Sequence, residues 1–238
     1  MTEAEWLACP HDVLRHLYAM IRFLEAREGN DRRLRLFACA CCRRVWDLLQ
    51  VEVARTIVEL SETYADREAS DADLETMEDH PDLRSLADET SPPISRRVLD
   101  AHVAAGWLSE TPVDALSISH RTSGEPASDF IASPDNGFGL GRAVPHSGAA
   151  VAEQMQLLRD IFGNPFRSLA FDPAWRTDTA VLLARQMYES REFSAMPILA
   201  DALQDAGCDN DDILAHCRDG NLVHVRGCWV VDHALGEQ

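Results

Sequence analysis

The chain has 238 residues, of which 46% are hydrophobic and 26% charged, a balance typical of a folded globular protein and unlike that of a disordered chain. Its formal net charge of −18 repels phosphate backbones and therefore argues against non-specific binding to nucleic acids. No apolar run is long enough to cross a bilayer, and the acidic N-terminus lacks a signal-peptide core, so we expect a cytoplasmic protein with no membrane partner.

Helix signals open the chain. Thr2 and Glu5 have the spacing of a capping box, which predicts a short first helix carrying Trp6. Apolar residues then recur at helical spacing between Val13 and Leu24, and they predict a second helix.

The next two amphipathic segments, 31–50 and 53–64, predict a helical hairpin. All 22 basic residues of the chain are arginine, since lysine is absent, and the densest group lies on the first of these segments. We interpret that group as a solvated helix face. Its members are Arg32, Arg33, Arg35, Arg43 and Arg44.

The middle of the chain changes character twice. Residues 66–91 are acidic and weakly apolar, which predicts one short helix from Ser70 and a mobile connection, and Pro92-Pro93 opens another predicted helix through Trp107. Residues 119–147 are rich in Gly, Ser and Pro and lose all periodicity, which predicts a long loop. We therefore expect helical lobes at 1–118 and 148–238 joined by this loop, or packed together as one domain.

Helical patterns return after the loop. Strand-like alternation is nowhere sustained, so the predicted fold class is all-α, an irregular multi-helix bundle. The predicted helical segments here are 150–162, 179–188, 196–206, 209–218 and 224–235, with an Asp172-Pro173 helix start before Trp175.

Seven cysteines, an odd number, do not resemble a disulfide framework and fit reduced thiols in a cytoplasm. Cys39 and Cys42 are three residues apart, so they share a helix face and could supply half of a metal site. Cys41 belongs to the apolar stripe and is predicted to be a core residue. The alternative that we favour for all three is small buried filler.

A second group of candidate ligands lies near the C-terminus, and its residue types are those that zinc prefers. His224 and Cys228 are four apart and would share a face of the predicted helix 224–235. Adjacent residues on a helix point about 100° apart, so His216 and Cys217 cannot easily join one site together. The alternative is that the thiols are packing residues and His224 caps its helix. The candidates are Cys208, His216, Cys217, His224 and Cys228, with Cys39 and Cys42 completing a shared site if the two groups meet.

Catalytic patterns are weak. The sequence has no G-x-S-x-G elbow, and nothing local lowers a thiol pKa at Cys217 or Cys228, so we do not expect a hydrolase. Phe166, Phe171 and Trp175 lie on an irregular stretch, where aromatic side chains either anchor a partner or fill a seam between lobes.

Three segments, 34–46, 157–167 and 197–229, carry the motifs LRLFACACCRRVW, LLRDIFGNPFR and PILADAL…HVRGCW. With the opening residues 1–7, they resemble hypothetical proteins abundant in planctomycete genomes, many of them from the Gemmata group. The resemblance implies a bacterial cytoplasmic setting and carries over no activity, cofactor or catalytic residue.

Two functional hypotheses follow. The first is a non-catalytic, acidic helical module that interacts with or regulates another protein. The second is a zinc-binding protein, structural or hydrolytic, that uses some of the C-terminal cysteines and histidines.

Overall fold

The structure is a computed structural model that describes residues 1–8, 13–49, 52–78, 148–167 and 169–237. Within these ranges the chain forms α-helices and short 3-10 helices and contains no strand, which confirms the all-α prediction. None of the described helices has the length and hydropathy of a membrane span. The helices are α1 (Glu3–Leu7), α2 (Val13–Glu25), α3 (Asp31–Arg43), α4 (Glu52–Ala65), α5 (Asp71–Glu78), α6 (Gly148–Phe162), α7 (Asp178–Ser190), α8 (Met196–Asp205), α9 (Asp211–Arg218) and α10 (Trp229–Leu235).

The chain divides into two compact units, and the division differs from the predicted boundaries at residues 118 and 148. The C-terminal unit combines Met1–Ala8 with Gln156–Gln238, and the middle unit is Cys9–Met155. The first helix therefore belongs with the end of the chain, and α6 contributes residues to both units. The predicted loop 119–147 and the predicted helix from Pro92 to Trp107 lie outside the described residues.

In the middle unit, α3 packs against α4, as the predicted hairpin requires. Burial on α3 is wider than the predicted stripe, because Leu36, Cys39 and Cys42 are buried as well as Phe37 and Cys41. Cys41 is thus the core residue that was expected. The short helix predicted from Ser70 is α5.

The arginines of α3 are not a simple solvated face, and that expectation is wrong for two of them. The Arg43 guanidinium donates to both carboxylate oxygens of Glu62, at 2.6 and 2.8 Å, and the Glu62 side chain is only 3% exposed. Arg32 pairs with Asp66 at 3.0 Å, and both side chains are nearly buried. Acidic residues of α4 and the turn after it draw these arginines inward.

The C-terminal unit is built around one apolar core lined by α7, α8, α9 and α10. Its helices start where the sequence supplies a cap: the Thr177 side chain accepts from Ala180 N before α7, and Asn210 accepts from Asp212 and Ile213 before α9. The predicted capping box of Thr2 and Glu5 is also present on α1. These caps fix where each helix begins.

The predicted helix 224–235 is wrong at its start. The segment from His224 to Gly227 is not helical, and α10 begins at Trp229. Gly227 has a φ of 91°, and the Cys228 amide donates to the Val225 carbonyl at 2.9 Å, which closes a turn. The turn sets Cys228 immediately before α10.

Candidate metal centre

Four side chains of the C-terminal unit converge on one point. Asp160 lies near the end of α6, His216 lies on α9, His224 lies in the turn segment, and Cys228 precedes α10. One ligand atom from each, a carboxylate oxygen, two imidazole nitrogens and a sulfur, lies within 4.8 Å of the other three. Among the residues that the structure describes, no other group of three or more His, Cys, Asp and Glu side chains converges in this way.

The separations between these atoms are close to those of a tetrahedral zinc site. His216 Nε2 lies 3.3 Å from Cys228 Sγ and 3.2 Å from Asp160 Oδ1. His224 Nδ1 lies 2.7 Å from Asp160 Oδ1 and 3.9 Å from Cys228 Sγ. Zinc bond lengths of 2.0 to 2.3 Å imply ligand separations of about 3.3 Å between nitrogen or oxygen atoms and about 3.5 Å to sulfur. The observed distances scatter around these values.

The site is enclosed by protein. The side chains of Asp160, His216 and His224 are 3%, 11% and 6% exposed, and Cys228 is fully buried. A Zn²⁺ ion with one carboxylate, one thiolate and two neutral imidazoles carries no net charge. Such a group avoids the large cost of an unbalanced buried charge.

The electrostatics of the two acidic ligands differ. Burial alone would raise the pKa of Asp160, but hydrogen bonds from His216 and His224 outweigh it, and the pKa lies below its ordinary value. Burial raises the pKa of the Cys228 thiol well above its ordinary value, and the nearby Asp160 carboxylate adds to the effect. The thiol therefore holds its proton until a cation displaces it.

Neighbouring groups hold the ligands in place. The Val225 amide donates to Asp160 Oδ2 at 2.9 Å, which leaves Oδ1 facing the convergence point. The His216 ring contacts the rings of His224 and Trp229, at centroid distances of 4.9 and 5.0 Å. Partners of this kind orient the ligands of protein metal sites.

The same four residues do not form a Cys-His-Asp catalytic relay. A relay needs one imidazole nitrogen facing the thiol and the other facing the acid. Here His216 Nε2 faces both the Cys228 sulfur and the Asp160 carboxylate, so the groups meet at a point and do not form a chain. A fully buried thiol with a raised pKa is also a poor nucleophile.

The structure brings together three of the seven predicted ligands: His216, His224 and Cys228. Cys217 and Cys208 are buried in the same unit but outside the converging group, and burial raises the pKa of Cys217 to about 12. The expected angle between His216 and Cys217 explains why only one of them reaches the site. The predicted basis for pairing His224 with Cys228, a shared helix face, is wrong, because the turn before α10 brings them together.

Cys39 and Cys42 lie in the middle unit and are not members of the group. The Cys39 thiol lies 3.8 Å from the Val58 carbonyl oxygen, and burial raises the pKa of Cys42 to about 12. Both thiols pack in the α3–α4 core, which agrees with the filler interpretation. The structure does not join them to the C-terminal ligands in one described cluster.

Asp160 is the candidate ligand that sequence analysis missed. The chain has 40 acidic residues, so residue type alone does not distinguish one carboxylate as a candidate ligand. Its position does carry a signal, because Asp160 follows the buried Leu157 by one helical turn and is itself a buried residue of α6. An acid on the core face of an amphipathic helix needs a partner, and here the partners are two histidines.

The aromatic residues predicted to contact a partner are half-buried. Phe171 and Trp175 pack against the core of the C-terminal unit, with ring centroids 5.3 Å apart, and Phe166 is also partly buried. Within their own unit, these residues therefore pack as the alternative expectation, aromatic side chains that fill a seam, requires. Partner binding by these residues stays a prediction.

Comparisons with known proteins do not assign the chain to a family. No family model matches the chain, and no curated protein or solved structure shows significant similarity to it. The converging side chains are therefore the basis for inferring a function.

Proposed function

We propose that the C-terminal unit is a structural zinc centre, with Asp160, His216, His224 and Cys228 as its four ligands. The observation that carries the proposal is the convergence of four ligand atoms of three chemical kinds, from three separate segments, on a buried point. Zinc accepts oxygen, nitrogen and sulfur ligands together, and structural sites use four protein ligands. A site closed in this way leaves no position for water, so it supports folding and not hydrolysis.

For the whole chain, we propose a non-catalytic helical module that binds another protein in a bacterial cytoplasm. A closed centre supports this role because it supplies stability without chemistry. Five of the described cysteines, Cys39, Cys42, Cys208, Cys217 and Cys228, are buried free thiols, which fits a reducing compartment. Co-purification from the native host under gentle lysis tests the role, and a protein that stays alone and monomeric would contradict it.

The metal content of tag-free protein tests the centre directly. We expect close to one equivalent of zinc, and less than about a tenth of an equivalent of any transition metal would refute the proposal. The test variant is Cys228→Ala and the matched control is Cys217→Ala, because both remove a buried thiol from the same unit. Only the first should lose zinc.

Cobalt substitution gives an independent readout of the ligands. Tetrahedral Co²⁺ absorbs visible light strongly, and a thiolate ligand adds a sulfur-to-metal charge-transfer band in the near ultraviolet. We expect both features in the wild-type protein and in Cys217→Ala. The charge-transfer band should disappear in Cys228→Ala, and its persistence there would assign the thiolate to another cysteine.

A further inference from the structure

The N-terminal helix α1 is docked on the C-terminal unit through its backbone and its indole. Trp6 is fully buried, and its Nε1 donates to the Gly163 carbonyl at 3.0 Å. The Arg159 guanidinium donates to the carbonyl oxygens of Trp6 and Ala8, both at 2.7 Å. A short helix of this kind has little stability of its own, so these contacts hold it in place.

A charged network extends the dock to α9. The Glu3 carboxylate accepts hydrogen bonds from Asn164 Nδ2 and Arg167 Nε, both at 2.7 Å. Arg167 also pairs with Asp212 at 3.0 Å, in the first turn of α9. That helix carries the candidate ligand His216, so Arg167 links α1 to an element of the proposed metal centre.

Two of the anchors of α1, Arg159 and Gly163, lie beside residues of the proposed metal centre. Arg159 directly precedes Asp160 on α6. Gly163 has a φ of 62°, and a Cβ placed there would lie 3.2 Å from the Trp229 ring. Trp229 directly follows Cys228, and its ring contacts that of His216. The segment that Trp6 contacts therefore packs beside residues that adjoin or contact three of the four candidate ligands.

From this shared construction we infer that metal binding and the docking of α1 are coupled, so that the filled centre keeps Met1–Ala8 on the C-terminal unit and loss of the metal releases it. The inference rests on the proposed zinc centre. Coupling between two sites is reciprocal: if zinc favours docking, then docking favours zinc by the same factor. Couplings of this kind commonly amount to about 5- to 150-fold in affinity.

The zinc affinity of the 238-residue chain, measured by competition with a chelator of known stability, tests the inference. Trp6→Phe keeps an aromatic side chain but replaces the indole by a smaller phenyl ring and removes the N–H that reaches Gly163. Glu3→Gln weakens the surface network without altering the core. The matched control is Leu7→Ala, because Leu7 lies on the same helix and is 54% exposed. We expect both test variants to bind zinc at least about 5-fold more weakly than wild type, and the control to bind equally.

Hydrogen exchange tests the other direction of the coupling, the effect of zinc on the docking of α1. The N-terminal peptide, residues 1–8, should exchange faster in the metal-free chain than in the zinc-loaded chain, and faster in loaded Glu3→Gln than in loaded Leu7→Ala. Equal zinc affinity in all three variants and wild type would overturn the coupling while leaving the metal centre intact. A wild-type chain that binds no zinc would remove the proposed function itself, so the two failures are distinguishable.

Discussion

At the scale of single residues, Asp160 decides what kind of site this is. A buried carboxylate between two imidazoles is satisfied either by their N–H groups or by a shared cation, and both arrangements use the same atoms. The Cys228 sulfur, 3.3 Å from His216 Nε2, favours the cation, because a neutral thiol adds little to a hydrogen-bond network whereas a thiolate is a strong zinc ligand.

Asp160→Asn separates these two roles. The amide keeps the shape of the side chain but removes its charge, so we expect zinc affinity to fall by at least about 100-fold, the upper end of the effects seen for supporting residues. The control is Asp201→Asn, an acid with a 71% exposed side chain. Denaturant unfolding with and without zinc completes the test. An equal loss of stability in both conditions would make Asp160 a hydrogen-bonding residue and not a ligand.

Gly163 offers a second test at this scale. Gly163→Ala forces a side chain into a left-handed backbone position and against the Trp229 ring, 3.2 Å away. Gly207→Ala is the matched control, since Gly207 also has a positive φ, of 92°, but open space around it. Both variants should be destabilised by the left-handed backbone conformation that their alanine must adopt. Gly163→Ala should lose about 1–3 kcal/mol more unfolding free energy because its side chain overpacks against Trp229. Equal losses would show that Trp229 moves aside freely.

At the scale of elements, apolar periodicity predicted helices correctly where a helix packs on a core. It predicted a helix wrongly where a backbone amide donates its hydrogen bond to a side chain distant in sequence. The stripe through Phe37 and Cys41 predicted α3 because that stripe is buried against a core. The stretch from His224 has similar apolar content, but the Val225 amide donates to the Asp160 carboxylate, far away in sequence. Local patterns carry no record of such a contact, so the turn escaped prediction.

The wide burial of α3 makes the stability of the fold sensitive to alkaline pH. The folded pKa of Cys42 is raised, chiefly by burial, from 9.0 to about 12. Between these values the unfolded chain loses the thiol proton and the folded chain keeps it, so stability is complete below pH 9 and falls as the pH rises towards 12. The slope contributed by one thiol approaches about 1.4 kcal/mol per pH unit.

The measurement is the unfolding free energy from denaturant titrations between pH 8 and pH 10.5. We expect Cys42→Ala to have a shallower decline than wild type, whatever its stability at pH 8. Cys208→Ala is the comparison, because burial raises the Cys208 pKa but a backbone hydrogen bond from Asn210 opposes the shift. Parallel declines in wild type and Cys42→Ala would contradict the assigned cause.

At the scale of the whole molecule, the C-terminal unit draws on both ends of the described chain, since Met1–Ala8 joins Gln156–Gln238. A bound metal would add to a surplus stability that is small for domains in general. Structural zinc sites contribute about 10–16 kcal/mol in isolated peptides, whereas whole domains are stable by about 5–15 kcal/mol. Zinc bound at the proposed centre would therefore contribute enough to decide whether this unit folds.

Removing the metal should consequently affect the two units unequally. With a strong chelator present, we expect limited proteolysis to cleave within 156–237, while the α3–α4 hairpin at 31–65 stays protected by its own apolar core and the Arg43–Glu62 pair. Mass spectrometry of the fragments locates the cuts, and added zinc should restore protection. Cys228→Ala should be cleaved like the chelated wild type even when zinc is supplied, and Cys217→Ala should resist cleavage when loaded. Digestion that is identical with and without chelator would mean that the apolar core of the C-terminal unit is sufficient by itself, and that the four converging side chains are not what holds α6, α9 and α10 together.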